Sequence, residues 1–147
     1  MVPCTGLALE EAESMSTIAD NMRRVIKKVP HTTPVIEAAG KMSAEKVGSL
    51  FVERKGELVG IVTESDVVRK AVATGLALGN LTVERIMTYP IKTIESSRSM
   101  QDAHDMMGDL GVRHLGVTEG GKIVGLISVR DLLVYFKRVS EPKITQD

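Results

Sequence analysis

Apolar and polar positions along this chain follow two rhythms that switch in a fixed order. Between residues 49 and 63 the apolar residues come in short runs, Leu50-Phe51-Val52 and then Leu58-Val59 with Ile61-Val62, separated by Lys55-Gly56. Two such runs with a glycine-containing pair between them predict two strands joined by a hairpin. Upstream, Val35, Ala38, Ala39 and Met42 recur at three- and four-residue spacing, the mark of one helix face, and Pro34 suits the first turn. A short strand, VIKKV at 25–29, precedes that helix. A second helix is expected at 65–74, stopped by Gly75. The predicted order is strand, helix, strand, strand, helix.

The same order is then written again. VGIVTESDVV at 59–68 returns as VGLISVRDLL at 124–133, a shift of 65 residues. The register holds without a gap far beyond that motif. Thr17, Met22, Ile26, Ala38, Met42, Leu50, Val52, Gly60 and Asp66 find their own residue type at Thr82, Met87, Ile91, Ala103, Met107, Leu115, Val117, Gly125 and Asp131. Chance does not keep one register over so many positions, so the chain is an internal repeat. The second copy predicts a strand at 90–94, a helix through Met100, Ala103, Met107 and Leu110, strands around HLGVTE and KIVGLIS turning at Gly120-Gly121, and a helix at 130–139. The organisation expected is an N-terminal extension at 1–16 with a short helix through Leu9, Ala12 and Met15, repeat one at 17–74, a linker at 75–81, repeat two at 82–139 and a tail at 140–147.

Composition narrows the function classes. Aromatics are only 3% and Trp is absent, so the core must be aliphatic. Nineteen basic and nineteen acidic residues balance, which argues against a protein that coats nucleic acid. Cys4 is the single cysteine and forms no internal disulfide; a reducing, cytoplasmic setting is expected. No apolar run approaches the roughly 20 residues of a membrane helix. His31, His104 and His114 are too scattered for a metal site, and no catalytic triad, phosphate loop or dinucleotide fingerprint is present. No enzyme activity, metal or cofactor is expected.

Candidate chemistry sits where a strand feeds a helix. Thr63-x-x-Asp66 and Ser128-x-x-Asp131 each fit a capping box, and for one isolated instance that is the simpler reading. Three features point further. The motif occurs twice. Each copy has a glycine three residues earlier, Gly60 and Gly125, where a strand interior disfavours glycine unless a ligand or another backbone comes close. And a helix N-terminus suits an anion such as phosphate, while an aspartate there can accept two hydrogen bonds from a ribose diol.

These residues carry a family resemblance. GIVTESD and GLISVRD, with KVGSLFV, GVRHLGV and VERIMT, resemble the cystathionine-β-synthase (CBS) domain, and the tandem resembles a CBS pair, or Bateman module, over about 17–139. The resemblance implies an α+β fold of two β-α-β-β-α repeats about a pseudo-twofold axis, with two clefts that take adenosine-containing ligands. It implies a stand-alone sensor of AMP, ADP or ATP that acts on a regulated protein not identified by the sequence, and a homodimer. An S-adenosylmethionine sensor, or a dimerising interaction module with vestigial clefts, are the alternatives. Position by position, the resemblance makes Asp66 and Asp131 ribose acceptors, Thr63 and Ser128 ligand hydroxyls, and Ile26 and Ile91 apolar neighbours of the adenine. Thr88 becomes a polar contact, and Arg113, His114 and Arg130 phosphate partners. The first copy has Gly48, Ser49 and Ser65 where those three cations stand, so the second copy is expected to be the stronger nucleotide site. Phe51 and Gly116 depart from the family's usual proline before the second strand's closing valine.

Overall fold

The computed structural model describes residues 16–140, so the helix expected through Leu9, Ala12 and Met15 lies outside the described residues. The protein is α+β, with two similar β-α-β-β-α repeats. The first repeat runs β1 (Lys28–Pro30), α1 (Val35–Glu45), β2 (Ser49–Arg54), β3 (Glu57–Thr63) and α2, which opens as one α turn (Glu64–Asp66) and continues as a wider π-helical turn (Val67–Val72). A one-turn helix, α3 (Val83–Ile86), follows. The second repeat runs β4 (Thr93–Glu95), α4 (Met100–Leu110), β5 (His114–Glu119), β6 (Lys122–Ser128) and α5 (Val129–Ser140). Among the described residues no helix is long and apolar enough to cross a membrane.

Each repeat builds its own three-stranded sheet, in the orders β1-β2-β3 and β4-β5-β6. The first strand of each is parallel to the second, and the second is antiparallel to the third. The hairpins turn where the sequence predicts. Lys55 and Gly56 both take positive φ, and so do Gly120 and Gly121, the paired left-handed geometry that matches strand twist. Both sheets carry a register shift at the same place, Val52/Glu53 and Val117/Thr118. The opening strands are shorter and later than the apolar pattern suggests, so Ile26 and Ile91 lie in the extended segments before β1 and β4 rather than on them.

The repeated register becomes a repeated core. Val29, Leu50, Val52 and Val62 face Val35, Ala38 and Met42 of α1 in one cluster. Their counterparts 65 residues on, Ile94, Leu115, Val117 and Ile127 with Met100, Ala103 and Met107, make the other. At about 25 cal/mol per Å² of apolar surface, each fully buried Leu or Ile contributes roughly 1.5–3 kcal/mol, the main force holding helix to sheet.

Packing and repetition divide the chain at different points. One compact unit is Ile26–Lys92; the other joins the described part of Met1–Val25 to that of Thr93–Asp147. The segment before β1 therefore belongs to the β4-β5-β6 sheet. Ile18, wholly buried, sits in that sheet's core, and the N–H groups of Ile18 and Ala19 donate to Arg98 O and Ser96 O at 2.9 Å. In the same way Leu81, Val83 and Ile86 pack on the first sheet, with Val83 N–H donating to Thr33 O. Neither short helical turn, Ile18–Asp20 nor α3, is long enough to show a hydrophobic period.

Candidate functional site

In the unit Ile26–Lys92, β3 ends at Thr63 and α2 begins. Thr63 N–H donates to Asp66 Oδ2 at 3.0 Å, and Asp66 N–H donates to Thr63 Oγ1 at 3.1 Å, a reciprocal capping box. Asp66 does more than cap. Its buried carboxylate also receives the Thr88 hydroxyl, 3.2 Å from both oxygens, and the Lys70 ammonium at 2.9 Å from Oδ1. Lys70 reaches onward to Ile86 O at 3.3 Å. Thr88 arrives on the segment after α3, whose backbone exchanges two hydrogen bonds with Ile61, at 2.8 and 3.0 Å. That approach accounts for Gly60: a Cβ there would stand 2.5 Å from Met87 Sδ and 3.1 Å from Thr88 O.

The second unit repeats the geometry with different side chains. Arg23, the counterpart of Thr88, exchanges two 3.0 Å backbone hydrogen bonds with Leu126. A Cβ on Gly125 would collide with Arg23 O and Met22 Cε. So of the two reasons for glycine left open by the sequence, the approach of another backbone operates in both copies. Ser128 N–H and Oγ–H donate to Asp131 Oδ2 at 2.8 and 3.1 Å. Arg23 Nε stands 3.7 Å from Oδ1 of Asp131, beyond hydrogen-bond length. Arg24, next in the chain, is engaged elsewhere: it pairs with Glu119 at 2.9 Å, which lowers the Glu119 carboxyl's pKa and raises that of the guanidinium. The pairing fixes the segment that carries Arg23.

The predicted cations gather at one end of this sheet. His114 opens β5 opposite Ser128, and Arg113 O accepts the Val129 N–H at 2.9 Å, so both lie beside the Ser128–Asp131 cap. Arg113 and Arg130 are exposed, and neither side chain makes a hydrogen bond or ion pair among the described residues. The corresponding place in the first copy holds Gly48, whose carbonyl accepts Glu64 N–H, and buried Ser49. Ile26 and Ile91 are half-buried. Phe51 is buried in β2.

Two residues escaped the sequence reading, Arg23 and Lys70. Arg23 was legible as the counterpart of Thr88, had each leading segment been assigned to the other copy's sheet. Lys70 stands four residues after Asp66, the helical spacing of an ion pair, and its counterpart in the second copy is the buried Tyr135.

A carboxylate offers about four lone-pair positions. Three donors occupy Asp66, leaving no free pair of positions: Thr63 N–H, Thr88 and Lys70. Asp131 holds two, both on Oδ2. Arg23 Nε stands 3.7 Å from its Oδ1, and Arg113, His114 and Arg130 lie at the same end of the sheet, an arrangement suited to a polyol that carries an anionic group.

Comparison with known proteins follows the repeat. The family described as CBS domain matches residues 15–73 and again 83–138. An uncharacterised protein of Methanopyrus kandleri is 31% identical over 119 residues, 80% of this chain, and this chain spans 61% of its length. Among solved structures, a protein with CBS domains from Burkholderia ambifaria MC40-6 is 32% identical, with a TM-score of 0.80 over 88% of this chain and 100% of that one. A hexameric CBS-CP12 protein from bloom-forming cyanobacteria is 27% identical, with a TM-score of 0.76 over 87% of this chain and 76% of that one.

Proposed function

Because the chain belongs to the CBS domain family as a tandem pair, we propose that it is a regulatory module whose ligand is an adenine nucleotide, held mainly at Asp131. The observation that carries this reading is the largely buried Asp131 carboxylate, fixed through Oδ2 by Ser128, with Arg23 Nε 3.7 Å from Oδ1 and with Arg113 and Arg130 exposed at the same end of the sheet. A ribose diol donates to that oxygen; Arg23, Arg113 and Arg130 meet the phosphates. The base follows from the family resemblance. The module senses its ligand by binding it.

AMP, ADP and ATP are each expected to stabilise the fold. A ligand at 100 times its dissociation constant adds about 2.7 kcal/mol. Asp131→Asn is expected to weaken AMP roughly 10- to 150-fold in titration calorimetry, the equivalent of one hydrogen bond to a charged group. Absence of any thermal shift with millimolar nucleotide, S-adenosylmethionine included, refutes the ligand reading and leaves a module used for association alone.

Self-association is part of the same proposal. Val68 and Val72 on α2 and Leu133 and Val134 on α5 are 56–67% exposed. The cyanobacterial relative is hexameric. A second copy of this chain is the proposed cover for these faces, giving a homodimer. Light scattering at micromolar concentration tests it, and the mass of a single chain overturns it.

A further inference from the structure

Lys70 sits in the place a ligand would need. Its ammonium bonds Asp66 Oδ1 at 2.9 Å and Ile86 O at 3.3 Å, and lies 3.5 Å from Thr88 Oγ1. Together with Thr63 N–H and the Thr88 hydroxyl, it leaves the Asp66 carboxylate without a free pair of acceptor positions for a diol. In the second copy the corresponding helical position holds Tyr135, which is buried in the core, so no lysine serves Asp131 from there. Arg23 Nε stands 3.7 Å from Asp131 Oδ1, with nearly half of its side chain in solvent.

We infer that Lys70 is an internal latch that closes the Asp66 site to ribose-bearing ligands, so that the tandem module takes one nucleotide per chain and its ligand specificity resides in the second copy. The inference rests on the nucleotide reading above for its ligand, and on the Lys70–Asp66 geometry for its direction. A diol reaches Asp66 only by displacing a hydrogen bond between two charged groups, which sets its affinity back roughly 10- to 150-fold relative to an open carboxylate. The latch is also removable. The Lys70 side chain is half exposed and held only by polar contacts at its tip, so Lys70→Met keeps the aliphatic stem and removes the ammonium.

AMP titration calorimetry on the full chain tests this. The wild type is expected to bind one equivalent per chain, and Lys70→Met two, the second lost again in Lys70→Met/Asp66→Asn. Lys70→Gln provides the same readout should the methionine variant fail to fold. Two equivalents of similar affinity in the wild type overturn the latch. So does a wild-type equivalent that Asp66→Asn removes, an unchanged stoichiometry in both lysine variants, or weaker binding in them, which would show the ammonium serving the ligand. No binding by the wild type but one equivalent gained by Lys70→Met upholds the latch and refutes the Asp131 reading. No binding by any of them refutes both.

Discussion

Gly125→Ala is expected to be one of the most damaging single-methyl additions to this protein, because of what stands over that Cα. The new Cβ would overlap the Arg23 carbonyl oxygen and Met22 Cε, with Arg23 C at 3.1 Å. A methionine tip can rotate away; a carbonyl held by Leu126 N–H at 3.0 Å cannot move without taking its segment with it. Overpacking costs about 1–3 kcal/mol, and loosening the two Arg23–Leu126 hydrogen bonds adds about 0.5–1.5 kcal/mol each. The expected destabilisation is about 2–6 kcal/mol. Gly60→Ala provides the internal comparison. There the shortest approaches are to the flexible Met87 side chain, at 2.5 and 3.0 Å, and Thr88 O lies farther off at 3.1 Å, so about 1–2 kcal/mol is expected. Away from any obstruction, alanine in place of glycine in a strand stabilises by about 0.5–1 kcal/mol, so the sign itself is informative. Urea denaturation of both variants measures the costs, and amide exchange at Arg23 and Leu126 reports whether the segment has lifted. A Gly125→Ala cost equal to or below that of Gly60→Ala, or full protection at both amides, refutes the argument.

Other outcomes follow from the same geometry. Asp66→Ala is expected to cost about 2–3 kcal/mol of stability, against about 1 kcal/mol for Asp131→Ala. The first loses a cap together with a partly exposed ion pair and the Thr88 bond, while the second loses little beyond a cap; denaturant midpoints compare them. Gly108→Ala, on the exposed side of α4 with open space around its Cα, is expected to raise stability by about 0.5–1 kcal/mol in the same assay. Glu45 is held by Lys27 at 2.8 Å and Lys41 at 2.7 Å, which lower its pKa from the ordinary 4.5 to about 2. A carboxylate depressed in the folded state stabilises fully above its unfolded pKa and loses that contribution as pH falls toward the folded one. The Glu45 contribution is therefore present above about pH 4.5 and fades toward pH 2. A carbon-detected NMR titration of Glu45 with a midpoint near 4.5 would contradict it.

The sequence by itself determined the repeat, the element order, both hairpin turns and most of the core. Those features rest on local chemistry: paired residues that accept positive φ at 55–56 and 120–121, helical spacing of Val35, Ala38 and Met42, and a register of 65 that carries most core positions into a second copy. It also marked both capping aspartates and both unusual glycines. The tertiary structure alone decided which segment meets which aspartate. Residues 17–25 open the first repeat in sequence yet lie on the second sheet, so Arg23 joins Asp131 and Thr88 joins Asp66. No periodicity reports that exchange, since Ile18–Asp20 and α3 are single turns held by partners far away in the chain. Nor does the motif, identical in type in both copies, show that a lysine bonds one carboxylate while an arginine stands 3.7 Å from the other. That difference comes from Lys70 and Tyr135 at the same helical position, the polar tip turned to an aspartate and the aromatic ring buried in the core. Local pattern sets which elements form. The occupancy of a lone pair depends on side chains that only folding brings within 3 Å.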